Sequence, residues 1–320
     1  MKEKVWVGVD IGGTKTAVVI SSSPPSILAR KEFPTLPDQG PARALKMIKA
    51  AMNKILREQG LSHSALHGIG VSCGSPMDHN AGIIQSPPNL PTWVNVPITS
   101  ILEEEFHTRC HLENDANAGA VAEHRYGAGR GCRNMIFLTM GTGFGAGLIV
   151  EGRLYHGTSD QAGEIGHVRL TRRGPIGYNK EGSVEGWVSG GGMAQVALRA
   201  VESARKKGKK TLLTACLKSQ HTITARDVGL AAQQGDTLAR QIIQSTGRRL
   251  GEVLAILVDI LNPDRIVIGG LAMRLGETLL VPARKIVKRE ALAADVCRIV
   301  PAILGEQIGD IAALCVAMGF

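Results

Sequence analysis

The feature that most restricts the fold is a unit that occurs twice: an apolar strand, a glycine-rich turn and a second apolar strand. In the first copy Val5-Trp6-Val7-Gly8-Val9 meets Asp10-Ile11-Gly12-Gly13-Thr14-Lys15 and continues as Thr16-Ala17-Val18-Val19-Ile20. In the second, Met135 to Met140 meets Gly141-Thr142-Gly143-Phe144-Gly145-Ala146-Gly147 and continues as Leu148-Ile149-Val150. Short apolar runs rich in β-branched residues and bounded by glycine read as buried strands. Their repetition points to an internal duplication: two similar α/β lobes, each offering one hairpin to a central cleft. A chain of 320 residues, 44% of them hydrophobic, is too long for one ordinary core and suits two.

The intervening segments fit that plan. Ala42 to Glu58 is predicted helical, because Leu45, Ile48, Met52 and Ile55 fall on one face. Gly68 to Ser72 reads as a strand entering a turn-rich loop that runs to Pro97, and Ile98 to His107 as a helix. Cys110-His111-Leu112 is strand-like and precedes an alanine-rich helix. Arg240 to Leu261 is a long helix with Leu250, Val253, Leu254 and Leu257 as its apolar residues. Asn262-Pro263-Asp264 stops it, and Arg265 to Ile268 makes a strand ending at Gly269-Gly270. Asp310 to Met318 is the last helix.

Composition narrows the function classes. Aromatic residues are only 3% of the chain, which argues against a β-sandwich or a base-stacking platform. The net charge of +9 reads first as that of an ordinary basic protein, and also suits attraction of a polyanion such as ATP or nucleic acid. The densest basic run, Lys206-Lys207-Gly208-Lys209-Lys210, has no interleaved aromatics and reads as a solvated loop between two helices. The cysteines at 73, 110, 132, 216, 297 and 315 form no CxxC pair, which points away from a disulfide framework and towards a reducing cytoplasm. The first apolar stretch is interrupted by Asp10 and Lys15, so it reads neither as a signal peptide nor as a membrane span.

Gly8 to Lys15 nearly matches the Walker loop, but its last two residues are reversed as Thr14-Lys15. Both glycine turns lead into strands rather than helices, so neither offers the helix-dipole anion site or a dinucleotide fingerprint. A hairpin can still hold phosphate. Glycines such as Gly12, Gly13 and Gly143 expose backbone N–H groups, and Thr14 and Thr142 add hydroxyl donors. Asp10 would repel phosphate directly and makes sense as a magnesium partner, through water. Ordinary tight hairpins would look the same taken singly. Two of them, with Gly269-Gly270 closing a third strand, favour a nucleotide site.

The segments DIGGTK (10–15), GIGVSCGSPMD (68–78), SPPNLPTW (86–93), ENDANAGA (113–120), GTGFGAG (141–147), AGEIGH (162–167) and NPDRIVIGG (262–270) together resemble the ROK family (repressors, open reading frames, kinases). The resemblance covers essentially the whole chain, in order. It implies the actin/hexokinase-like ATPase fold, with an N-terminal lobe over 1–117 completed by a C-terminal helix at about 303–320, and a second lobe over 118–302. It also implies ATP and Mg²⁺ as cofactors, a hexose or N-acetylhexosamine as substrate, and a homodimer or homotetramer.

Residue by residue, the resemblance makes Asp115 the base that accepts the sugar hydroxyl proton and Asn114 a sugar ligand. A carboxylate at 115 read alone could also simply cap the following helix. Glu164, His167 and Glu185 match family residues that hydrogen-bond sugar hydroxyls; Asn89 and Gly74 are further candidates, although Ser75-Pro76 stands where Pro-Gly is common. Asp10, Gly12, Gly13, Thr14, Lys15, Thr142, Gly143, Gly269 and Gly270 are the expected nucleotide residues. Zinc-binding members carry a histidine and then CxCGxxGC before the second glutamate. Here the cysteine positions hold Ile176, Tyr178 and Ser183, so no structural zinc is expected. An apolar cluster of Ile176, Tyr178 and Trp187 is expected in its place. Repressors of the family carry a helix-turn-helix ahead of the glycine loop, and a loop starting at Asp10 leaves no room for one. A sugar-sensing homologue without catalysis is the other alternative, and intact Asp10, Asn114 and Asp115 argue against it.

Overall fold

The computed structural model describes residues 4–220 and 222–319. Packing divides the chain into two compact units: Met1–Gly131 with Gly147–Ala162 and Leu304–Phe320, and Cys132–Ala146 with Gly163–Ile303.

The first unit is built on β1 (Val5–Ile11), β2 (Lys15–Ser21), β3 (Ala29–Pro34), β4 (Leu66–Cys73) and β7 (Cys110–Asn114), in the order β3-β2-β1-β4-β7. β1, β2 and β3 form an antiparallel meander, whereas β4 and β7 run parallel to β1. Between β3 and β4 lies α1 (Pro41–Glu58), which buries Ala44, Ile48, Met52, Ile55 and Leu56. Two short strands, β5 (Met77–Asp78) and β6 (Ile83–Ile84), pair within the turn-rich loop, and α2 (Ile98–Phe106) precedes β7. α3 (Asp115–Tyr126) follows β7 directly. Trp93 and Phe106 are the largest fully buried side chains of this core. The final helix of the chain, Ile308–Met318, lies on β1 and β4 with almost nothing between. A side chain at Gly68 or Gly70 would collide with the backbone of Ala317, so glycine there is a condition of this close approach.

β3 lies outside the sequence expectation, and the reason is visible in its burial. Arg30 and Glu32 are exposed and only Phe33 of this strand is buried, as befits an edge strand defended by charge.

The second sheet repeats the order. β8 (Met135–Met140), β9 (Phe144–Val150), β10 (Arg153–Leu154), β13 (Arg265–Ile268) and β14 (Arg298–Pro301) are arranged β10-β9-β8-β13-β14, with β8, β13 and β14 parallel. Hairpin first, parallel strands after: this is the duplication expected from the sequence. β9 starts at Phe144, earlier than the predicted Leu148, because Phe144 and Ala146 are buried and continue the strand through the glycines. The turn is therefore only Gly141 to Gly143.

Between β10 and β13 the chain forms a hairpin of β11 (Ile176–Gly177) and β12 (Lys180–Glu181), then α4 (Val184–Val188), α5 (Gly190–Lys206), α6 (Leu213–Gln220), α7 (Ala225–Gln233) and α8 (Thr237–Leu261). The basic run begins at the end of α5 and is exposed through Lys210. α9 (Leu271–Leu275) and α10 (Glu277–Glu290) follow β13, and α11 is the final helix already described. Five of the cysteines are buried, and Cys216 is half-buried. Among the described residues no helix is long and apolar enough to cross a membrane.

Candidate active site

In the first unit the junction of β7 and α3 sets the central group. Asn114 is the N-cap: its Oδ1 accepts the N–H groups of Ala116 at 2.9 Å and Asn117 at 3.3 Å. Asparagine suits this place because its short amide reaches the unpaired donors of the first turn. Its Nδ2 donates to Ser75 Oγ at 2.8 Å. Ser75, which departs from the family's usual residue, thus helps hold Asn114. Capping falls chiefly to Asn114, and Asp115 sits exposed in the first turn, its Oδ1 accepting the Ala116 N–H at 2.8 Å.

The first hairpin turn lies in the same unit. Gly12 N–H donates to the Lys15 carbonyl at 3.0 Å, and Thr35 fastens the turn from outside. The Thr35 hydroxyl donates to the Gly12 carbonyl at 2.7 Å, and its N–H to the Thr14 carbonyl at 3.0 Å. Asn89 stands against two of the expected glycines. A Cβ at Gly13 would be 2.9 Å from the Asn89 Cβ, and one at Gly74 would be 3.2 Å from its Oδ1. Sequence reading named these three residues separately, and the structure brings them together. Lys15 is engaged by Glu32 at 2.9 Å.

Asp10 is the electrostatic centre of this half. Its pKa is pushed from 3.8 up to about 7, first by burial and then by the neighbouring charges of Asp115 and Asp310, with Lys15 and Arg30 opposing. Asp310, in the first turn of α11, is itself buried and receives Arg30 Nε at 2.7 Å. Gly309 stands so close that a Cβ there would strike the Asp10 carboxylate. Sequence reading missed Asp310, Arg30 and Thr35. Nothing in their local pattern distinguishes them from surface residues.

In the second unit Glu164, His167 and Glu185 come together. Burial raises the pKa of Glu185 above the ordinary carboxylate value, opposed by N–H groups of Phe144 and Tyr178, while Glu164 raises it and His167 lowers it. Phe144 N–H donates to Glu185 Oε2 at 3.1 Å, and a Cβ at Gly143 would be 2.8 Å from the same oxygen. The Tyr178 hydroxyl donates to Glu164 Oε2 at 3.4 Å. Its ring lies 5.2 Å from that of His167. Lys180 Nζ meets both His167 Nδ1 and the His167 carbonyl at 2.7 Å.

The expected apolar cluster does not form. Ile176 is 52% exposed and Tyr178 40% exposed. Trp187 turns elsewhere, donating from Nε1 to Thr171 Oγ1 at 2.6 Å with the Arg249 guanidinium 4.6 Å from its ring centroid. Hydrogen bonds hold the segment instead. Ile176 exchanges two with the Gln195 amide, at 2.9 and 2.8 Å, and Ser183 Oγ both donates to the Gly177 carbonyl and accepts the Gly186 N–H. Tyr178 and Asn179 both have positive φ, 52° and 56°, as a two-residue turn of type I′ requires. The hairpin turn, not an apolar core, aims Tyr178 at Glu164. Among the described residues no group of three or more His, Cys, Asp or Glu side chains is disposed to hold a metal ion.

Thr142 and Gly143 lie in the second glycine turn, which is tied to the start of α5: Gly190 N–H donates to the Gly141 carbonyl at 2.8 Å and Gly191 N–H to that of Thr142 at 3.2 Å. Gly269 donates to the Leu138 carbonyl at 2.8 Å, and Gly270, with φ of 64°, crowds the carbonyl of Met140. These four expected nucleotide residues thus gather at the carboxyl ends of parallel β8 and β13, where open α/β sheets receive ligands.

A family model described as the ROK family matches residues 6–318. A glucokinase from Halalkalibacterium halodurans is 34% identical over 315 residues, covering 97% of this chain and 94% of the relative. A xylose repressor from Caldicellulosiruptor bescii is 24% identical, covering 90% of this chain and 71% of the repressor. Among solved structures, a ROK family glucokinase from Streptomyces griseus in complex with glucose and AMPPNP superposes with a TM-score of 0.81, at 27% identity, over 99% of this chain and all of that one.

Proposed function

The chain belongs to the ROK family and has the actin/hexokinase-like ATPase fold, and from that premise we propose that it transfers the γ-phosphoryl group of ATP to a hydroxyl of a hexose or N-acetylhexosamine. The carrying observation is the β7–α3 junction. There Asn114 satisfies the helix start and Asp115 stands exposed beside it. The glucokinase relative and the glucose and AMPPNP complex support the reading.

In this reading Asp115 accepts the proton of the attacking sugar hydroxyl as the phosphoryl group moves. Asn114, Asn89, Glu164, His167 and Glu185 orient the sugar hydroxyls, and Gly74 admits Asn89. A site that pairs each hydroxyl rejects analogues lacking one, because its buried polar groups are then left unpaired. The N–H groups of Gly13 and Gly143, the hydroxyls of Thr14 and Thr142, and the Lys15 ammonium on leaving Glu32 receive the phosphates, while Gly12 closes the first turn through its own N–H. Gly269 and Gly270 let the nucleotide approach the sheet end. The charges of Asp115 and Asp310 burden Asp10, and a divalent cation arriving with ATP would relieve that repulsion. Asp10 would hold it, through water, and the ion would neutralise phosphate charge. We assign the protein to the cytoplasm, as a homodimer or homotetramer.

A coupled assay of ADP release across a panel of hexoses and N-acetylhexosamines tests the reading. The preferred sugar should give sustained turnover, and Asp115→Asn should bind it while turning over roughly 10²–10⁴-fold more slowly. No turnover with any sugar, or an unimpaired Asp115→Asn variant, sinks it. The match to a xylose repressor gives a second reading, a sugar-responsive DNA-binding regulator. A sugar-dependent shift of operator DNA without turnover would favour that one.

A further inference from the structure

We propose that His156 is a positioning residue for the base motif and acts through Glu113. Glu113 is a carboxylate on β7 with only 1% of its surface exposed. Such a group must be met by donors on both oxygens, since an unpaired buried charge is costly. Oε1 accepts the backbone N–H of Asn114 and the side-chain Nδ2–H of Asn117, each at 2.9 Å. Oε2 meets His156 Nε2 at 2.7 Å. One carboxylate therefore grips the residue that caps α3, and a second residue of that helix, on one side, and a histidine from the loop after β10 on the other.

The imidazole is held in turn. Its ring stacks on His79 at 4.3 Å between centroids and 5° between planes. His79 Nδ1 lies 2.6 Å from Asp160 Oδ2, and the same carboxylate receives the His79 N–H. The hydrogen bond to Glu113 raises the pKa of His156, against the opposing effect of burial. Asp160, His79, His156 and Glu113 are thus neighbours in turn, by charge proximity, ring stacking and a hydrogen bond, all within the first unit. Beside it lies a cavity of about 640 Å³, lined also by Glu103, Arg109 and His111, which leaves His156 room to move if its partner is lost.

The consequence is specific. Glu113 reaches Asp115 through one intervening residue, so a shift of its carboxylate moves the base more than it moves the phosphate turn. The kinetic part of this inference rests on the kinase reading above; the structural part does not. Residues acting in one chain should also be non-additive.

The test compares His156→Ala, His156→Gln, Glu113→Gln and the double variant His156→Ala/Glu113→Gln by hydrogen exchange of peptides within 110–118 and by steady-state kinetics on folded protein. We expect faster exchange across 110–118 in His156→Ala, and kcat lower by roughly 10–100-fold, the order that small misplacement of a reacting group costs. The KM for ATP should stay near that of the parent. His156→Gln, which keeps a donor, should restore most of both, and the double variant should be no worse than Glu113→Gln alone. Unchanged exchange in folded His156→Ala, or additive losses in the double variant, overturns the inference. Should His156→Ala not fold, His156→Asn, too short to reach Glu113, is judged by the same results. If the parent phosphorylates no sugar, the functional reading falls, and the exchange data alone still decide whether His156 holds the motif.

Discussion

The first glycine turn carries Asp10 and Lys15 and is backed by Asn89, whereas the second, Gly141 to Gly143, carries no charge and is backed by Glu185. The strand order around them is the same. Duplication thus reproduced a scaffold and not a chemistry. The first turn stands beside the charges of Asp10, Asp115 and Asp310, while the second closes on itself, Gly141 N–H to the Gly143 carbonyl, and braces a carboxylate of its own. One copy can specialise towards the cation and the base, and the other towards backbone recognition, because the hairpin geometry does not depend on which side chains decorate it.

The comparison is sharpest at Glu185. Glu185→Ala should raise the sugar KM by about 10–100-fold, the usual worth of a lost hydrogen bond to a charged group, with the ATP KM near that of the parent. A rise confined to ATP would reassign the second turn's backing to the nucleotide.

Next in size are the glycines themselves. Gly13→Ala would press on the Cβ and carbonyl oxygen of Asn89, atoms that cannot rotate away. It should destabilise the protein by about 1–3 kcal/mol, as overpacking does. Gly143→Ala meets only the end of the Glu185 side chain. It should leave the melting temperature nearly unchanged and raise the sugar KM. Equal thermal losses in both variants would break the distinction between the two turns.

Asp10 gives a smaller, pH-dependent signal. Its folded pKa of about 7 lies above the ordinary 3.8, so the folded state holds a proton that the unfolded state releases. That contribution is complete below about pH 4 and is lost as pH rises through about 7. Without nucleotide or Mg²⁺, Asp10→Asn should therefore gain stability relative to the parent at about pH 8 and lose that gain at about pH 4. Thermal melts at both values check this, with a shift of a few degrees expected; a gain independent of pH would exclude the carboxylate charge as its cause.

The smallest expected effect is none. Ile176, Tyr178 and Ser183 offer no thiolates, and the segment around them is pinned by Gln195 and Ser183. A strong zinc chelator should leave turnover intact once Mg²⁺ is restored, and elemental analysis should find well under one zinc per chain. Stoichiometric zinc at His167 would mean that Lys180 yields its place there.

The chain's own sequence determined the elements whose signal is local. β1, β2, β8 and the long α8 are legible because burial on one or both faces leaves an apolar period within a few residues, and the glycine turns mark where each hairpin reverses. Asn114 and Asp115 were legible as a motif, and capping explains why an asparagine suits the helix start. Tertiary structure decided the rest. β3 was hidden because an edge strand is half solvated and carries Arg30, Lys31 and Glu32, and β9 began early because its burial, not its glycines, set its start. Ile176 and Tyr178 were expected inside and lie exposed, since whether an apolar side chain is covered depends on which distant segment reaches it. Glu113 and His156 are 43 residues apart. No local period records such a pairing: it exists only because β7 and the loop after β10 are brought side by side, where a buried carboxylate must find its donors.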